Sequence, residues 1–164
     1  MTGDLAQWVC TMPRLSSFSL TCDYLDGDFL SKAIALQSSS QIQDLTLTLG
    51  RLDGGSQHES SMTGDLAQWV CTMPRLSSFS LTCDYLDGDF LSKAIALQSS
   101  SQIQDLTLTL GRWYDGSHHQ SSKWGDLAQW VCTMPRLSSF RLTCHYLNGD
   151  FLSKAIALQS SSQV

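Results

Sequence analysis

Charge and proline are both scarce in this chain. Only 15% of its 164 residues are charged, and only three are proline. The formal net charge is −5 and the lysines and arginines form no cluster, which argues against nucleic acid or an anionic membrane as the main partner. No apolar run approaches the ~20 residues that a membrane-spanning helix needs. The start, Met1 to Asp4, shows neither the basic nor the apolar region of a secretory signal.

Sequence patterns that carry common chemistry are also missing. No Cys-x-x-Cys pair occurs, and the adjacent side chains of His118 and His119 do not naturally converge on one metal ion. No Gly-x-x-x-x-Gly-Lys-Ser/Thr loop is present to hold a nucleotide. Asp26 and Asp28, on either side of Gly27, are more simply the start of a helix than a catalytic carboxylate pair. We therefore expect no enzyme, no metal and no cofactor.

What the chain does contain is an internal repeat. Residues 1–51 recur without change at 62–112, which is 61 residues further along, and a third copy runs from Lys123 to Val164. The chain is therefore expected to be one domain over 1–164, built from double units at 1–61, 62–122 and 123–164, the last of them incomplete.

Each double unit holds two copies of a shorter template, L-x-x-L-x-L. The template starts at Leu15, Ile42, Leu76, Ile103 and Leu137, so successive starts are alternately 27 and 34 residues apart. This spacing is typical of leucine-rich repeats, in which each unit supplies a short strand and a returning helix. Five strands are expected, and Val164 would begin a sixth.

The segments between the templates favour helices. In the segment from Asp65 to Met73, apolar residues fall at i, i+3, i+4 and i+7. Thr63 or Asp65 is expected to cap its start, and Pro74 prevents its continuation. A second helix is expected from Phe29 to Leu36, ended by the run of serines at 38–40.

The cysteines are expected to remain reduced. Cys22, Cys83 and Cys144 follow equivalent templates, so they should lie two strand spacings apart, roughly 10 Å, beyond the ~7 Å Cα separation that a disulfide tolerates. Cys10, Cys71 and Cys132 belong to the helical layer at the same repeat spacing. Buried thiols in a cytoplasmic protein are the favoured interpretation.

The residues before and at the end of the first strand of each double unit are similar to those of a known family. Trp-Val-Cys-Thr-Met-Pro-Arg-Leu precedes the strand and Leu-Thr-Cys-x-Tyr-Leu ends it, and together they resemble the C-terminal leucine-rich repeats of NOD-like receptors, most closely the CARD-containing, inflammasome-forming branch. The resemblance implies an α/β solenoid, a fragment of a ribonuclease-inhibitor-like horseshoe with parallel strands and helices on the convex side. It also implies a protein-interaction or ligand-sensing module of a cytosolic innate immune receptor, whose partners are a protein ligand or other domains of the parent receptor.

Other interpretations stay open at this stage. The repeats could belong to another adaptor, such as the substrate-recognition module of a ubiquitin ligase, or to an extracellular receptor with cysteine-rich end caps. They could also be a truncated fragment with no independent function. Solenoids need polar caps at both ends, and apolar surface is expected at Leu15 and on the final helix, from Phe151 to Leu158. Self-association through such uncapped ends is therefore a further expectation.

Differences between the copies indicate where a ligand would bind. In each template the residues between the leucines should face away from the core, and solenoids usually bind on that concave side. Those residues are small and hydroxyl-rich, which also suits any solvated strand. The copies differ mainly in a strand-to-helix loop and at exposed strand positions, either through drift or because that surface is selective. Aromatic residues and arginine supply most interface energy, so the candidate interaction surface is Trp113, Tyr114, His118, Arg141 and His145.

Overall fold

Helices and strands alternate along the chain. A computed structural model describes residues 2–23, 27–50, 60–84, 86, 88–111, 120–144 and 149–162. Within these ranges the helices are α1 (Thr2–Thr11), α2 (Gly27–Ala35), α3 (Ser60–Thr72), α4 (Gly88–Ala96), α5 (Gln120–Thr133) and α6 (Gly149–Ser162). The strands are β1 (Ser17–Cys22), β2 (Asp44–Leu49), β3 (Ser78–Cys83), β4 (Asp105–Leu110) and β5 (Ser139–Cys144).

The five strands form one parallel sheet in chain order. Each strand pairs with the next in the sequence, from β1 to β5, so every connection passes through a helix before the chain returns to the neighbouring position. The five L-x-x-L-x-L templates thus predicted the strands correctly, and the α/β class with parallel strands is confirmed. The sixth strand that was expected to begin at Val164 lies outside the described residues.

One continuous core fills the space between the strands and the helices. Leu45, Leu47 and Leu49 of β2 are all buried, because alternate residues of a strand point to the same side. The helices supply the opposite wall through residues such as Leu66 and Val70 of α3, which fall on one helical face. Neither layer could bury its apolar side without the other.

The edges of the sheet are less covered than its centre. In β3 the inward residues Phe79, Leu81 and Cys83 are buried, whereas the corresponding residues of β1 and β5 are only half-buried. The sequences of these three strands differ only at Arg141. Burial therefore depends on having a neighbouring strand on both sides rather than on the residues themselves.

The expected helix start is wrong in one respect. Helix α3 begins at Ser60, so Thr63 and Asp65 lie within the helix and do not cap it. A capping side chain contributes only about 1 kcal/mol, which the packing of a longer helix readily outweighs. The expected stop is confirmed, since α3 ends at Thr72, just ahead of Pro74.

The serine run behaves differently in the third copy. After α2 the chain makes a short 3-10 turn over Gln37–Ser39, and the buried Ser40 Oγ accepts a hydrogen bond from the N–H of Ile42 at 3.3 Å. In the third copy the same residues continue the helix, and α6 runs on to Ser162. The local sequence alone therefore does not end this helix.

An aromatic contact joins each double unit to the next. The rings of Phe29 in α2 and Trp69 in α3 meet edge to face, with centroids 5.5 Å apart and planes at 79°. Phe90 and Trp130 repeat that contact with the same distance and angle. Edge-to-face packing is a preferred arrangement of aromatic rings. We refer to these two contacts as the Phe–Trp junctions.

Apolar side chains are exposed at the two outermost helices. Trp8 of α1, the counterpart of Trp69 and Trp130, is 60% exposed, whereas those two are fully buried. In α6, Leu152 and Ile156 are 47% and 62% exposed. The apolar exposure expected for the final helix is confirmed, and Leu15 is half-buried.

Trp69→Ala and Trp8→Ala make a matched pair for testing this packing, because both residues stand in the same local sequence. Trp69→Ala should lower the free energy of unfolding by about 3 kcal/mol, at the low end for a buried tryptophan, because its Nε1 is buried without a hydrogen-bond partner. Trp8→Ala should lower it by less than about 1 kcal/mol. Urea unfolding at low protein concentration measures both values. Equal losses would contradict the Phe–Trp junction as a source of stability.

Candidate interaction surface

The outward side of the sheet carries the polar residues of the strands. In β1 and β5 every outward residue is exposed, and in β3 the outward residues are half-exposed. We call this side the open face. It consists of the three outward residues of each strand.

Strand register arranges the open face into three rows. One row holds Ser17, Asp44, Ser78, Asp105 and Ser139; the next holds Ser19, Thr46, Ser80, Thr107 and Arg141; the third holds Thr21, Thr48, Thr82, Thr109 and Thr143. Adjacent strands lie about 4.8 Å apart and alternate residues of one strand about 6.6 Å apart. The open face is therefore a regular array of hydroxyl groups with a few charges placed in it.

Negative charge lies at two ends of this array. Asp44 and Asp105 are exposed and occupy the first row, each between serines on the neighbouring strands. They are two strands apart, roughly 10 Å. Asp23 and Asp84 are exposed directly after β1 and β3, at the other end of the strands.

A glycine at the end of the neighbouring strand lies close to each carboxylate of the second pair, Asp23 and Asp84. A Cβ on Gly50 would come within 3.3 Å of Asp23 Oδ1, and a Cβ on Gly111 within 3.2 Å of Asp84 Oδ1. The N–H of each glycine donates to the carbonyl that precedes the aspartate, at Cys22 and Cys83. Neither aspartate was among the candidates from the sequence, although His145, their counterpart in the third copy, was.

Only one of the five candidate residues lies in the described part of the chain. Arg141 is exposed in β5, beside Thr107 of β4, and is the one cation among the fifteen residues of the open face. Trp113, Tyr114, His118 and His145 lie outside the described residues. The expected outward position of Arg141 is confirmed, whereas its part in binding stays a prediction.

The outward side chains of the open face can form hydrogen bonds with another molecule. Hydroxyl groups both donate and accept hydrogen bonds, and carboxylates accept them from charged donors. The described ranges hold no group of three or more histidine, cysteine or acidic residues placed to share a metal ion. The open face is thus suited to a polar contact with another molecule.

The cysteines of the helical layer have raised pKa values. Burial raises the pKa of Cys71 to about 12 and also raises the pKa of Cys10. Thiols with raised pKa values stay protonated at neutral pH and are poor nucleophiles. Cys83 and Cys144 both align with Leu110, on opposite sides of it, so two strand spacings separate them as expected.

Three cysteines depart from the expected burial, since Cys22 and Cys144 are half-buried and Cys132 is exposed. Cys132 is exposed, although its counterparts Cys10 and Cys71 are buried. Helix α1 contacts the 3-10 turn that follows α2, and α3 contacts the equivalent turn at Gln98–Ser100. In the third copy these residues belong to α6 instead. The expectation that all thiols of the helical layer are buried was therefore wrong for Cys132.

Comparison with known proteins adds no assignment. No protein-family model matches the chain, and no curated protein is significantly similar to it. Among the described residues, every helix is too short or too polar to cross a membrane.

Brief alkylation of the native protein at pH 8 should separate the equivalent cysteines. We expect Cys132 to react on the order of 100-fold faster than Cys71. Burial raises the pKa of both thiols, but Cys132 is exposed, whereas Cys71 is buried, has its pKa raised to about 12 and reacts only when the fold opens locally. Cleavage after lysine and arginine places these residues in different peptides, so mass spectrometry measures both at once. Labelling in denaturant is the control, where the two rates should agree. Similar rates in the native protein would contradict the burial of Cys71.

Proposed function

We propose that the chain is a leucine-rich-repeat solenoid that binds a protein ligand on its open face. In this proposal the fold is a fragment of a ribonuclease-inhibitor-like horseshoe, with the open face concave and the helices convex. The observation that carries it is the parallel sheet in chain order, in which each repeated template adds one strand beside the last. Stacked units of this kind form extended binding surfaces.

The uncovered side of the sheet favours this surface over the helical one. Purely parallel sheets normally have helices on both faces and read as continuous apolar runs. Here the strands alternate, with leucines inward and hydroxyl residues outward, and the outward residues of β1 and β5 remain exposed. A rigid, solvated sheet face with this composition supports a role in recognition.

Charge indicates the character of the ligand. The four exposed carboxylates at the strand ends, Asp23, Asp44, Asp84 and Asp105, outnumber the single Arg141. Complementary charge increases association rates and selects partners, so the ligand would present basic groups and hydrogen-bond donors. Trp113, Tyr114, His118 and His145 lie outside the described residues and are proposed as additional binding residues.

The resemblance to NOD-like receptors supports a specific setting for this binding. We infer that the repeats act as the sensing or autoinhibitory part of a cytosolic innate immune receptor, with either a protein ligand or another receptor domain as partner. Sequencing the parent transcript on both sides of the repeats tests this setting. An encoded nucleotide-binding NACHT domain upstream and further repeats downstream are expected. Stop codons or unrelated sequence on both sides would contradict the receptor assignment.

Charge reversal on two matched pairs of residues tests the binding surface. Asp44→Lys with Asp105→Lys should reduce the recovery of bound proteins from cell extract at least tenfold, because it opposes basic ligands on the open face. Lys32→Glu with Lys93→Glu is the control, since these residues are exposed on α2 and α4 at the same repeat spacing. Quantitative mass spectrometry compares the captured proteins. Equal loss with both pairs, or loss with the lysine pair alone, would contradict binding on the open face.

A further inference from the structure

Three arginines that are far apart in the sequence form a row beside the sheet. Arg14, Arg75 and Arg136 each lie in the turn between a helix and the strand that follows it, and all three are exposed. The strands that follow them are β1, β3 and β5. Successive arginines therefore lie two strand spacings apart, roughly 10 Å.

Backbone pairing extends ahead of the strands and keeps this row in register. The carbonyl of Ser16 accepts the N–H of Gln43 at 2.7 Å, and the carbonyl of Gln43 accepts the N–H of Ser77 at 2.9 Å. Gln104 continues the series from Ser77 to Ser138 through bonds of the same kind. Each of these serines stands two residues after one of the arginines. The sheet therefore sets the spacing of the arginines.

Glutamines occupy the positions between the arginines. Gln41 directly precedes the template of β2 and Gln102 that of β4, which is where the arginines stand before the other three strands. Both glutamines are half-buried. One such side chain thus precedes each strand, in the order Arg14, Gln41, Arg75, Gln102 and Arg136. We call these five residues the amino edge.

The amino edge does not depend on where the chain begins or ends. Arg75 precedes the central strand, which has a paired strand on both sides, and it is exposed all the same. Neighbouring units therefore leave this position open. A further repeat would lengthen the row without covering the residues already in it.

The spacing of the arginines matches that of carboxylates on an extended peptide. A guanidinium group can hold a carboxylate through two parallel hydrogen bonds. A polyproline II helix has three residues per turn and rises about 3.1 Å per residue, so every third side chain repeats after about 9 Å on one side. That distance is close to the roughly 10 Å between arginines. The glutamine amides can pair with the backbone of such a peptide, which makes no internal hydrogen bonds.

Carboxylates on the open face disfavour a polyanion with denser charge. Asp44 and Asp105 are exposed at the start of β2 and β4, three residues after the glutamines of the amino edge. Three residues span at most about 10 Å, which is about a Debye length at moderate salt. A nucleic acid strand, with a phosphate on every nucleotide, would be repelled by them. A peptide with one carboxylate per turn can follow the arginines alone.

We propose that the amino edge binds an acidic segment of another protein in the polyproline II conformation. The segment runs across the strands, and carboxylates at every third residue pair with Arg14, Arg75 and Arg136. This site is separate from the open face and takes a ligand of opposite charge.

A stiff peptide tests the spacing. A labelled peptide of three Glu-Pro-Pro repeats carries one glutamate per polyproline turn, and a peptide of the same composition with consecutive glutamates is the control. Fluorescence anisotropy at about 50 mM salt, where exposed charges are only weakly screened, should show at least tenfold tighter binding of the repeating peptide. Equal affinities would indicate charge attraction without matched geometry and overturn the proposal. So would a repeating peptide that does not bind.

Substitutions in the amino edge identify the residues that bind. Arg75→Gln should weaken binding of the repeating peptide about fivefold or more. Arg75→Lys should weaken it less, because lysine keeps the charge but not the paired hydrogen bonds. Lys93→Gln, at an exposed position of α4, is the control and should change nothing. Urea unfolding checks that each variant folds as the unaltered chain does. An equal loss with Lys93→Gln would contradict binding at the amino edge.

Two further measurements separate this site from the open face and from nucleic acid. The pair Asp44→Lys with Asp105→Lys should bind the repeating peptide at least as tightly as the unaltered chain, although it opposes basic ligands on the open face. Loss of the peptide with that pair would indicate binding on the open face. It would overturn this inference and leave the proposed function standing. Tighter binding of a single-stranded oligonucleotide of equal charge would assign the amino edge to nucleic acid and overturn the inference as well.

Discussion

The Phe–Trp junction is the contact on which the rest of the structure depends. The first helix of the second and third double units covers the apolar surface of the unit before it. There the ring of Trp69 or Trp130 packs edge to face against a phenylalanine. Because the junction places α3 on α2, it also places β3 beside β2 in the register that creates the three rows of the open face. The arrangement of the open face on one side of the sheet is therefore a consequence of helix packing on the other.

Nearest-neighbour packing explains why identical sequences have different environments here. Leu81 of β3 is buried and Leu20 of β1 is half-buried, although both occupy the same position of the same template. The difference reflects the number of adjacent strands, since β3 has a paired strand on both sides and β1 has one on a single side. Likewise, Trp8 of the first helix and Leu152 of the last are less buried than their counterparts between them.

The residues that could be predicted from sequence are those whose environment repeats. The leucine templates indicated all five strands, and their outward residues indicated the composition of the open face, because alternation is a local property of a strand. The start of α3, the continuation of α6 and the exposure of Cys132 were not predictable in this way. Each depends on which element lies next to it, and the local sequence is the same whether or not that neighbour is present. For the same reason Trp8 looks identical in sequence to two buried tryptophans. Comparison of the copies pointed to Arg141 and, through His145, to the position that Asp23 and Asp84 occupy in the other copies. The closeness of these aspartates to glycines at the strand ends depends on strand pairing and could not be predicted in this way.

The sameness of the two junctions has a consequence for how the gene that encodes this chain can change. Phe29 with Trp69 and Phe90 with Trp130 share one distance and one angle, so one unit can take the place of another. Unequal recombination that inserts or removes a whole unit of coding DNA would alter the length of the sheet by two strands and leave every remaining contact with its present geometry. The number of strands in the open face is then inherited independently of the residues that each strand places on it.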